Sequence, residues 1–402
     1  MKSKIYTTLF LTVAVLVANA QCGQRYKDMI FSNVTVTSNV TYSTSNGTTL
    51  KLDVYEPTGD TASMRPLIVL AHGGSFISGT KTDDNVVTQM CNNFAKRGYV
   101  TASIDYRLGN AVQMYLDSGY AIETVLKALS DGKSAIRFFR KDAATTNTYR
   151  INPNIILAGG NSAGAVLYMH SIYVDSVGEL TPLLQNIINQ NGGFEGNSGN
   201  DGYSSEIQGL INCAGGLNIP ELVGPGSKPS ANFHGDQDAT VPYNCALAVN
   251  ASVRVRLCGL GVIEPLYQQY GITHVSKVYP GDGHVPWQSN QTKFTEVDTM
   301  TANFFYQLIC SGEIASVREV NYAFTGVNVF PNPVADAFRV TFTQPSEFSH
   351  VQLIDGTGRL VSEQKVLTNE LTFQRQQLNA GFYFVRIVRN DGNTAVRKVV
   401  FE

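Results

Sequence analysis

Short apolar runs alternate with stretches of helical spacing through the middle of this chain of 402 residues. Buried strands that alternate with helices predict an α/β fold, in which a mostly parallel sheet is flanked by helices on both faces. Functional groups in such a sheet collect at the carboxyl ends of the strands. The predicted strands are Leu67–Ala71, Tyr99–Asp105, Asn154–Ala158, Gly209–Ala214, Ala231–His234 and Val275–Tyr279, and the predicted helices are Asn85–Arg97, Ala121–Arg140, Ser162–Val174 and Thr292–Ile309.

A G-x-S-x-G motif, Gly160 to Gly164, directly follows one of these predicted strands and precedes a predicted helix. A serine at such a strand-to-helix turn is held in a strained conformation that exposes its hydroxyl group. The residues two positions before and after it must lack side chains for the turn to close. Ser162 is therefore the candidate nucleophile.

A second motif, His72-Gly73-Gly74-Ser75-Phe76, stands at the end of the predicted strand Leu67–Ala71. Adjacent glycines let the backbone turn its N–H groups towards a developing oxyanion. We expect Gly74, Ser75 and Ala163 to form the oxyanion hole, with Gly73 as the alternative donor. His72 is expected to hold the loop in place rather than to transfer protons.

A serine nucleophile needs a base, and the base needs a carboxylate that fixes its tautomer. His284 and Asp238 each follow a predicted strand, and the chain order Ser162, Asp238, His284 is typical of α/β-hydrolases. Asp236 and Asp282 are the alternative carboxylates. His234 opens the motif His234–Pro242 that contains Asp238. The other histidines have no motif around them and receive no role; they are His170, His274 and His350.

The N-terminus has the pattern of a secretory signal peptide over residues 1–20. Lys2 and Lys4 precede the apolar stretch Ile5–Ala18, and a small-x-small cleavage site ends at Ala20. The apolar stretch is shorter than the roughly 20 residues of a membrane-spanning helix. A retained anchor and a lipoprotein modified at Cys22 are the alternatives. We expect a mature protein that is exported and does not span a membrane.

Charge and cysteine content narrow the possible partners and cofactors. The net charge is −2 and 15% of residues are charged, without the basic stripe of a nucleic-acid-binding protein. Six cysteines allow 15 disulfide pairings, and the sequence does not choose among them; the pair that we predict is Cys245 with Cys258, which are close enough to close a short loop. Neither a C-x-x-C motif nor a histidine cluster is present, so we expect no metal and no organic cofactor.

The pattern changes near residues 316–324, which we predict to be a linker. Short alternating runs separated by turn residues follow it and predict a small β-sandwich at residues 325–402. Residues 21–315 then form the catalytic domain. The predicted sandwich strands are Phe338–Phe342, Val351–Ile354, Leu371–Phe373, Phe382–Val388 and Val396–Phe401.

The region Leu50–Ile309 resembles the α/β-hydrolases of the carboxylesterase type, in particular hormone-sensitive-lipase-like enzymes and bacterial feruloyl or acetyl esterases. Asn161 departs from the family pattern, because many relatives have Asp or Glu there, and the oxyanion loop has Ser75 in place of a third glycine. The motifs that carry the resemblance are Leu52-Asp53-Val54-Tyr55, His72–Phe76, Ile104-Asp105-Tyr106-Arg107-Leu108, the Ser162 turn, the Asp238 loop and His284.

The tail resembles the C-terminal sorting domain of the type IX secretion system of Bacteroidetes. This resemblance implies interaction with the secretion machinery and export across the outer membrane. A carbohydrate-binding or spacer sandwich is the alternative. The residues concerned are Phe330-Pro331-Asn332-Pro333, Ile354–Arg359, Gly381–Val385 and Arg397–Val400.

Together these features predict a secreted serine carboxylesterase that acts through an acyl-enzyme. Its substrate is a small-molecule ester or a polymer-bound one, such as an acetylated or feruloylated polysaccharide or a polyester. Two further functions stay open, namely those of a serine peptidase and of a non-catalytic binding protein. Gln190–Tyr203, rich in Gly and Asn, is a predicted loop or lid near the site. Candidates for lining an apolar pocket are Phe76, Tyr106, Phe194, Tyr203 and Trp287.

Overall fold

The computed structural model describes residues 22–45, 47–173, 182–193, 195–312, 326–355, 359–375, 378–390 and 394–401. The predicted signal peptide and the predicted linker lie outside these residues, as does Phe194.

An eight-stranded sheet forms the centre of the catalytic region. Its order is β1-β2-β4-β3-β5-β6-β7-β10; the pairs from β4 to β10 are parallel, whereas β2 runs antiparallel to both β1 and β4. A separate hairpin joins β8 and β9. The strands are β1 (Val34–Ser45), β2 (Thr48–Pro57), β3 (Arg65–Ala71), β4 (Val100–Ile104), β5 (Ile151–Asn161), β6 (Gly209–Cys213), β7 (Ser230–Gly235), β8 (Cys245–Leu247), β9 (Arg256–Cys258) and β10 (His274–Tyr279).

Helices cover both faces of the sheet, as the alternating pattern predicts. They are α1 (Asn85–Lys96), α2 (Ala111–Leu116), α3 (Ser118–Ala144), α4 (Ala163–Tyr173), α5 (Pro182–Gln190), α6 (Leu260–Gln269) and α7 (Gln291–Ser311).

Strand β3 shows how the layers are built. All seven of its residues are buried, and successive side chains point to opposite faces. Leu67 and Val69 pack in one core with residues of α3 and α4. Ile68 and Leu70 pack in a second core with residues of α1 and α7. A strand with a core on each side has a continuous apolar sequence, and the predicted α/β fold is confirmed.

The C-terminal region is a β-sandwich, again as predicted. One sheet has the order β11-β12-β15 and the other β14-β13-β16-β17, and all pairs are antiparallel. Alternate side chains such as Phe338, Val340 and Phe342 fill the space between the sheets. The strands are β11 (Val327–Phe330), β12 (Ala337–Phe342), β13 (Phe348–Asp355), β14 (Leu360–Lys365), β15 (Glu370–Gln374), β16 (Gly381–Arg389) and β17 (Thr394–Phe401).

Two disulfide bonds are present. The predicted pair, Cys245 with Cys258, joins β8 to β9, and Cys22 is bonded to Cys310 near the end of α7. Cys91 and Cys213 are buried free thiols. Within the described ranges, no group of side chains is suited to hold a metal ion, and no helix has the length and apolarity needed to cross a membrane.

Candidate active site

Ser162 lies at a sharp turn between β5 and α4. Its φ of 54° is in the left-handed region, which is rare for a residue with a side chain. A Cβ atom on Gly164 would lie 2.0 Å from the carbonyl oxygen of Ala71, and one on Gly160 would lie 2.3 Å from the same oxygen. Both glycines are therefore required for the turn to pack against β3.

Three side chains form a continuous hydrogen-bonded chain at the carboxyl ends of β5, β7 and β10. Ser162 Oγ lies 2.7 Å from His284 Nε2, and His284 Nδ1 lies 2.6 Å from Asp238 Oδ2. Because the Asp238 carboxylate accepts this hydrogen bond, Nδ1 of the neutral imidazole carries the proton that is donated. Nε2 is then free to accept the hydroxyl proton of Ser162.

Asp238 is held in its ionised form. Its Oδ1 accepts the backbone N–H groups of Thr240 at 2.8 Å and Val241 at 3.0 Å. Burial by itself would raise the pKa of Asp238, but hydrogen bonds from His234 and His284 outweigh it and lower the pKa to about 2. The carboxylate is therefore charged throughout the neutral and mildly acidic range.

His234 is a further site residue: it opens the sequence motif that contains Asp238, although no role was predicted for it. It is fully buried, and its Nε2 lies 2.9 Å from the carbonyl oxygen of Val241 and 3.3 Å from Asp238 Oδ2. Both neighbours are acceptors, so this nitrogen carries the proton. Its position at the carboxyl end of β7, four residues before Asp238, was the feature of the sequence that could have identified it as a site residue.

The alternative carboxylates have other partners. Asp236 accepts the N–H of Gly281 at 2.8 Å, and Asp282 forms an ion pair with Lys293. Each of these two contacts holds a turn. Asp238, by contrast, is the carboxylate that is hydrogen-bonded to His284.

The oxyanion loop has three successive residues with positive φ: Gly74 at 115°, Ser75 at 54° and Phe76 at 60°. Backbone N–H groups presented by a tight turn can form a concavity that suits an anion. The N–H groups of Gly74, Ser75 and Ala163 have no acceptor within the described part of the chain. The N–H of Gly73, by contrast, donates to Asp84 Oδ2 at 2.9 Å and is already engaged.

His72 holds this loop, as the sequence predicts. Its Nδ1 lies 2.6 Å from the carbonyl oxygen of Gly73, and its ring stacks on Tyr106 with centroids 4.3 Å apart. The Tyr106 hydroxyl donates to the His72 carbonyl oxygen at 2.8 Å. Burial lowers the pKa of His72, which keeps the ring neutral.

Asn161, the departure from the family pattern, lies at the centre of a buried network. Its Nδ2 donates to Asp84 Oδ2 at 3.1 Å, and its Oδ1 accepts from Trp287 Nε1 at 3.1 Å. Asp84 Oδ1 in turn caps α1 by accepting the N–H groups of Val86 and Val87. An amide supplies both the donor and the acceptor that this position needs, whereas a carboxylate supplies only acceptors.

A cavity of about 150 Å³ opens beside Ser162. Of the residues expected to line a pocket, Phe76 does so. Trp287 does not: it is only 1% exposed and points into the core towards Asn161. Tyr106 lies behind His72, and Tyr203 is outside the described lining of the cavity.

The predicted lid over Gln190–Tyr203 contributes one wall of this cavity through Asn191, Gly193 and Gly196. Polar contacts attach the segment to α3. Ser198 is fully buried, and its Oγ donates to Asp131 Oδ1 at 2.5 Å. These contacts make the segment a fixed part of the cavity wall.

Comparisons with known proteins agree with this architecture. Residues 52–215 match the BD-FAE family model, and residues 328–402 match the model described as a secretion system C-terminal sorting domain. No curated protein matches the chain.

Solved esterase structures share the fold. The apo form of Thermogutta terrifontis esterase 2 has a TM-score of 0.52 and 20% identity, covering 69% of this chain and 96% of that one. The same esterase phosphorylated by paraoxon has a TM-score of 0.51 and 21% identity, covering 69% and 95%. Its propionate-bound form has a TM-score of 0.50 and 20% identity, covering 70% and 95%. The predicted α/β-hydrolase fold and sorting domain are confirmed.

Replacing Asn161 with Asp is expected to destabilise the site at alkaline pH. The new carboxylate would face the buried carboxylate of Asp84 and could not donate to it. We expect a loss of about 2–3 kcal/mol in the free energy of unfolding at pH 8, and a smaller loss at pH 5, where one carboxyl takes up a proton. Denaturant unfolding of Asn161→Asp measures this loss. The exposed Asn85→Asp is the control; equal stability of the two variants at pH 8 would contradict the network.

Proposed function

We propose that this chain, a carboxylic ester hydrolase with a BD-FAE domain and a C-terminal sorting domain, acts through an acyl-enzyme formed on Ser162. The observation that carries the proposal is the continuous hydrogen-bonded chain from Ser162 through His284 to Asp238. A weak serine nucleophile is activated when its hydroxyl meets an oriented base in this way.

In the acylation step, His284 Nε2 takes the hydroxyl proton while Ser162 Oγ attacks the ester carbonyl carbon. The tetrahedral intermediate collapses, the bond to the alcohol oxygen breaks, and His284 returns the proton to the leaving alcohol. Water then attacks the acyl-enzyme with the same assistance and releases the acid. Asp238 stabilises the imidazolium that forms in both steps.

The negative charge of each intermediate develops on the former carbonyl oxygen. The N–H groups of Gly74, Ser75 and Ala163 are the donors that we assign to this oxygen. We assign them for two reasons: all three lack acceptors among the described residues, and those of Gly74 and Ser75 lie on the loop with positive φ. We leave Gly73 out of the oxyanion hole because its N–H donates to Asp84.

The chain is exported, since the sorting domain over residues 328–402 indicates secretion or attachment to the cell surface. We propose that the type IX secretion machinery is the partner that recognises this domain. The disulfide pairs Cys22–Cys310 and Cys245–Cys258 support an oxidising location for the mature protein.

Replacing Ser162 with Ala tests the nucleophile. We expect the variant to lose at least about 10³-fold in kcat/KM for p-nitrophenyl acetate, because it lacks the hydroxyl that is hydrogen-bonded to His284 Nε2. Ser171→Ala, on the same helix α4, is the matched control and is expected to keep wild-type activity. An active Ser162→Ala enzyme would refute the assignment. Comparing an ester with the matching amide distinguishes an esterase from a peptidase.

The pH dependence of kcat/KM tests the base. His284 must be neutral to accept a proton, whereas the lowered pKa of Asp238, about 2, keeps that carboxylate charged. We expect log kcat/KM to fall on acidification with a slope of one, since a single protonation removes the base. A flat profile between about pH 5 and pH 9, or a slope of two, would contradict this assignment.

A further inference from the structure

The cavity beside Ser162 has a mostly aliphatic lining. Helix α3, helix α5 and the disulfide-closed loop between β8 and β9 each supply part of its wall. Representative side chains are Met114, Val125, Leu126, Leu184, Ile188 and Val249. A wall of this kind favours an apolar occupant, because burying each methylene group removes apolar surface from water.

Two polar side chains in the wall, His170 and Ser130, are already hydrogen-bonded to the protein. His170 Nδ1 donates to the carbonyl oxygen of Val166 at 2.8 Å, and Nε2 accepts the N–H of Asn218 at 3.3 Å. Burial lowers the pKa of His170, so the ring stays neutral. Ser130 Oγ accepts the N–H groups of Asn197 and Ser198. At these two positions an occupant with hydroxyl or methoxyl groups would find the possible partners already engaged, and burying such groups without partners is costly.

The position of the base shows which half of an ester enters the cavity. The leaving alcohol must lie within reach of His284 Nε2, because that nitrogen returns its proton. Within the described residues, Ser162, Ala163 and Val166 line the cavity but His284 does not, and the His284 side chain is 19% exposed. The alcohol half therefore lies on the open side of Ser162, and the acyl half points into the cavity.

We propose that the cavity is an acyl pocket for unbranched aliphatic chains longer than acetyl, and that it disfavours aromatic acyl groups such as feruloyl. The proposal rests on the esterase function proposed above. It places no restriction on the alcohol, so the ester of an aliphatic acid with a small alcohol and one with a bulky alcohol both fit.

The test begins with two substrate series on the full chain. In p-nitrophenyl esters from acetate to hexanoate, we expect kcat/KM to rise about two- to fourfold for each added methylene. In alkyl acetates from methyl to hexyl, we expect little change. Methyl octanoate should be hydrolysed at least about tenfold faster than methyl ferulate.

Two variants connect these trends to the cavity. Val125→Phe narrows it and should lower the octanoate-to-acetate ratio of kcat/KM by about tenfold or more, because the longer acyl chain needs more of the space that the ring fills. Val112→Phe is the matched control, since Val112 is 62% exposed and outside the described lining. If Val125→Phe fails to fold, Leu126→Ala replaces it, and the preferred acyl chain should lengthen.

Three results would overturn the proposal while leaving the esterase function intact: a preference for acetate over hexanoate, a steep rise in the alkyl acetate series, or faster hydrolysis of methyl ferulate than of methyl octanoate. If no ester is hydrolysed in a Ser162-dependent way, the proposed function fails instead. Calorimetry with octanoate then tests the cavity directly: binding that Val125→Phe weakens supports an aliphatic pocket, and absence of binding overturns it.

Discussion

The carbonyl oxygen of Ala71 occupies the space that a side chain at position 160 or 164 would need. The turn that carries Ser162 can pack directly against the end of β3 because both positions are glycine, the residue that leaves enough room for this oxygen. The oxyanion loop begins at the next residue, His72. The same contact therefore brings the start of that loop beside Ser162, where a Cβ atom on Gly73 would lie 3.4 Å from Ser162 Cβ, and the rest of the candidate site is built around this junction.

Two buried carboxylates stabilise the junction in different ways. Asp84 joins the oxyanion loop, the nucleophile turn and the start of α1 through its bonds to Gly73, Asn161 and the helix N–H groups. Asp238 receives N–H groups from its own loop and from two imidazoles, which lowers its pKa. Each carboxylate is fully hydrogen-bonded where burial would otherwise penalise its charge. The first fixes geometry, and the second orients the base.

Local pattern was enough to predict the buried parallel strands, their covering helices and the sandwich, because those segments carry strong periodicity. Strands β1 and β2 were not predicted; β1, which lies at the edge of the sheet, is largely exposed and rich in Thr and Ser. Trp287 was expected at the pocket because it follows His284 closely. It instead bonds to Asn161, 126 residues away in the chain, a contact that only the tertiary fold creates.

The cavity beside Ser162 could not be predicted from the sequence for the same reason. Its walls come from α3, α5 and the loop closed by Cys245 and Cys258, segments that share no motif and meet only in the folded chain. The sequence did predict that disulfide and the loop at Gln190–Tyr203. It could not show that both form walls of one aliphatic cavity beside Ser162.

Peptide mapping after reaction with an alkyl fluorophosphonate tests the central claim most directly, because such a reagent bonds covalently to a serine that a neighbouring base activates. We predict one adduct per chain, on the peptide that contains Ser162, and loss of that adduct in His284→Ala. An adduct on a different serine, or ester hydrolysis that continues with Ser162 unmodified, would contradict it.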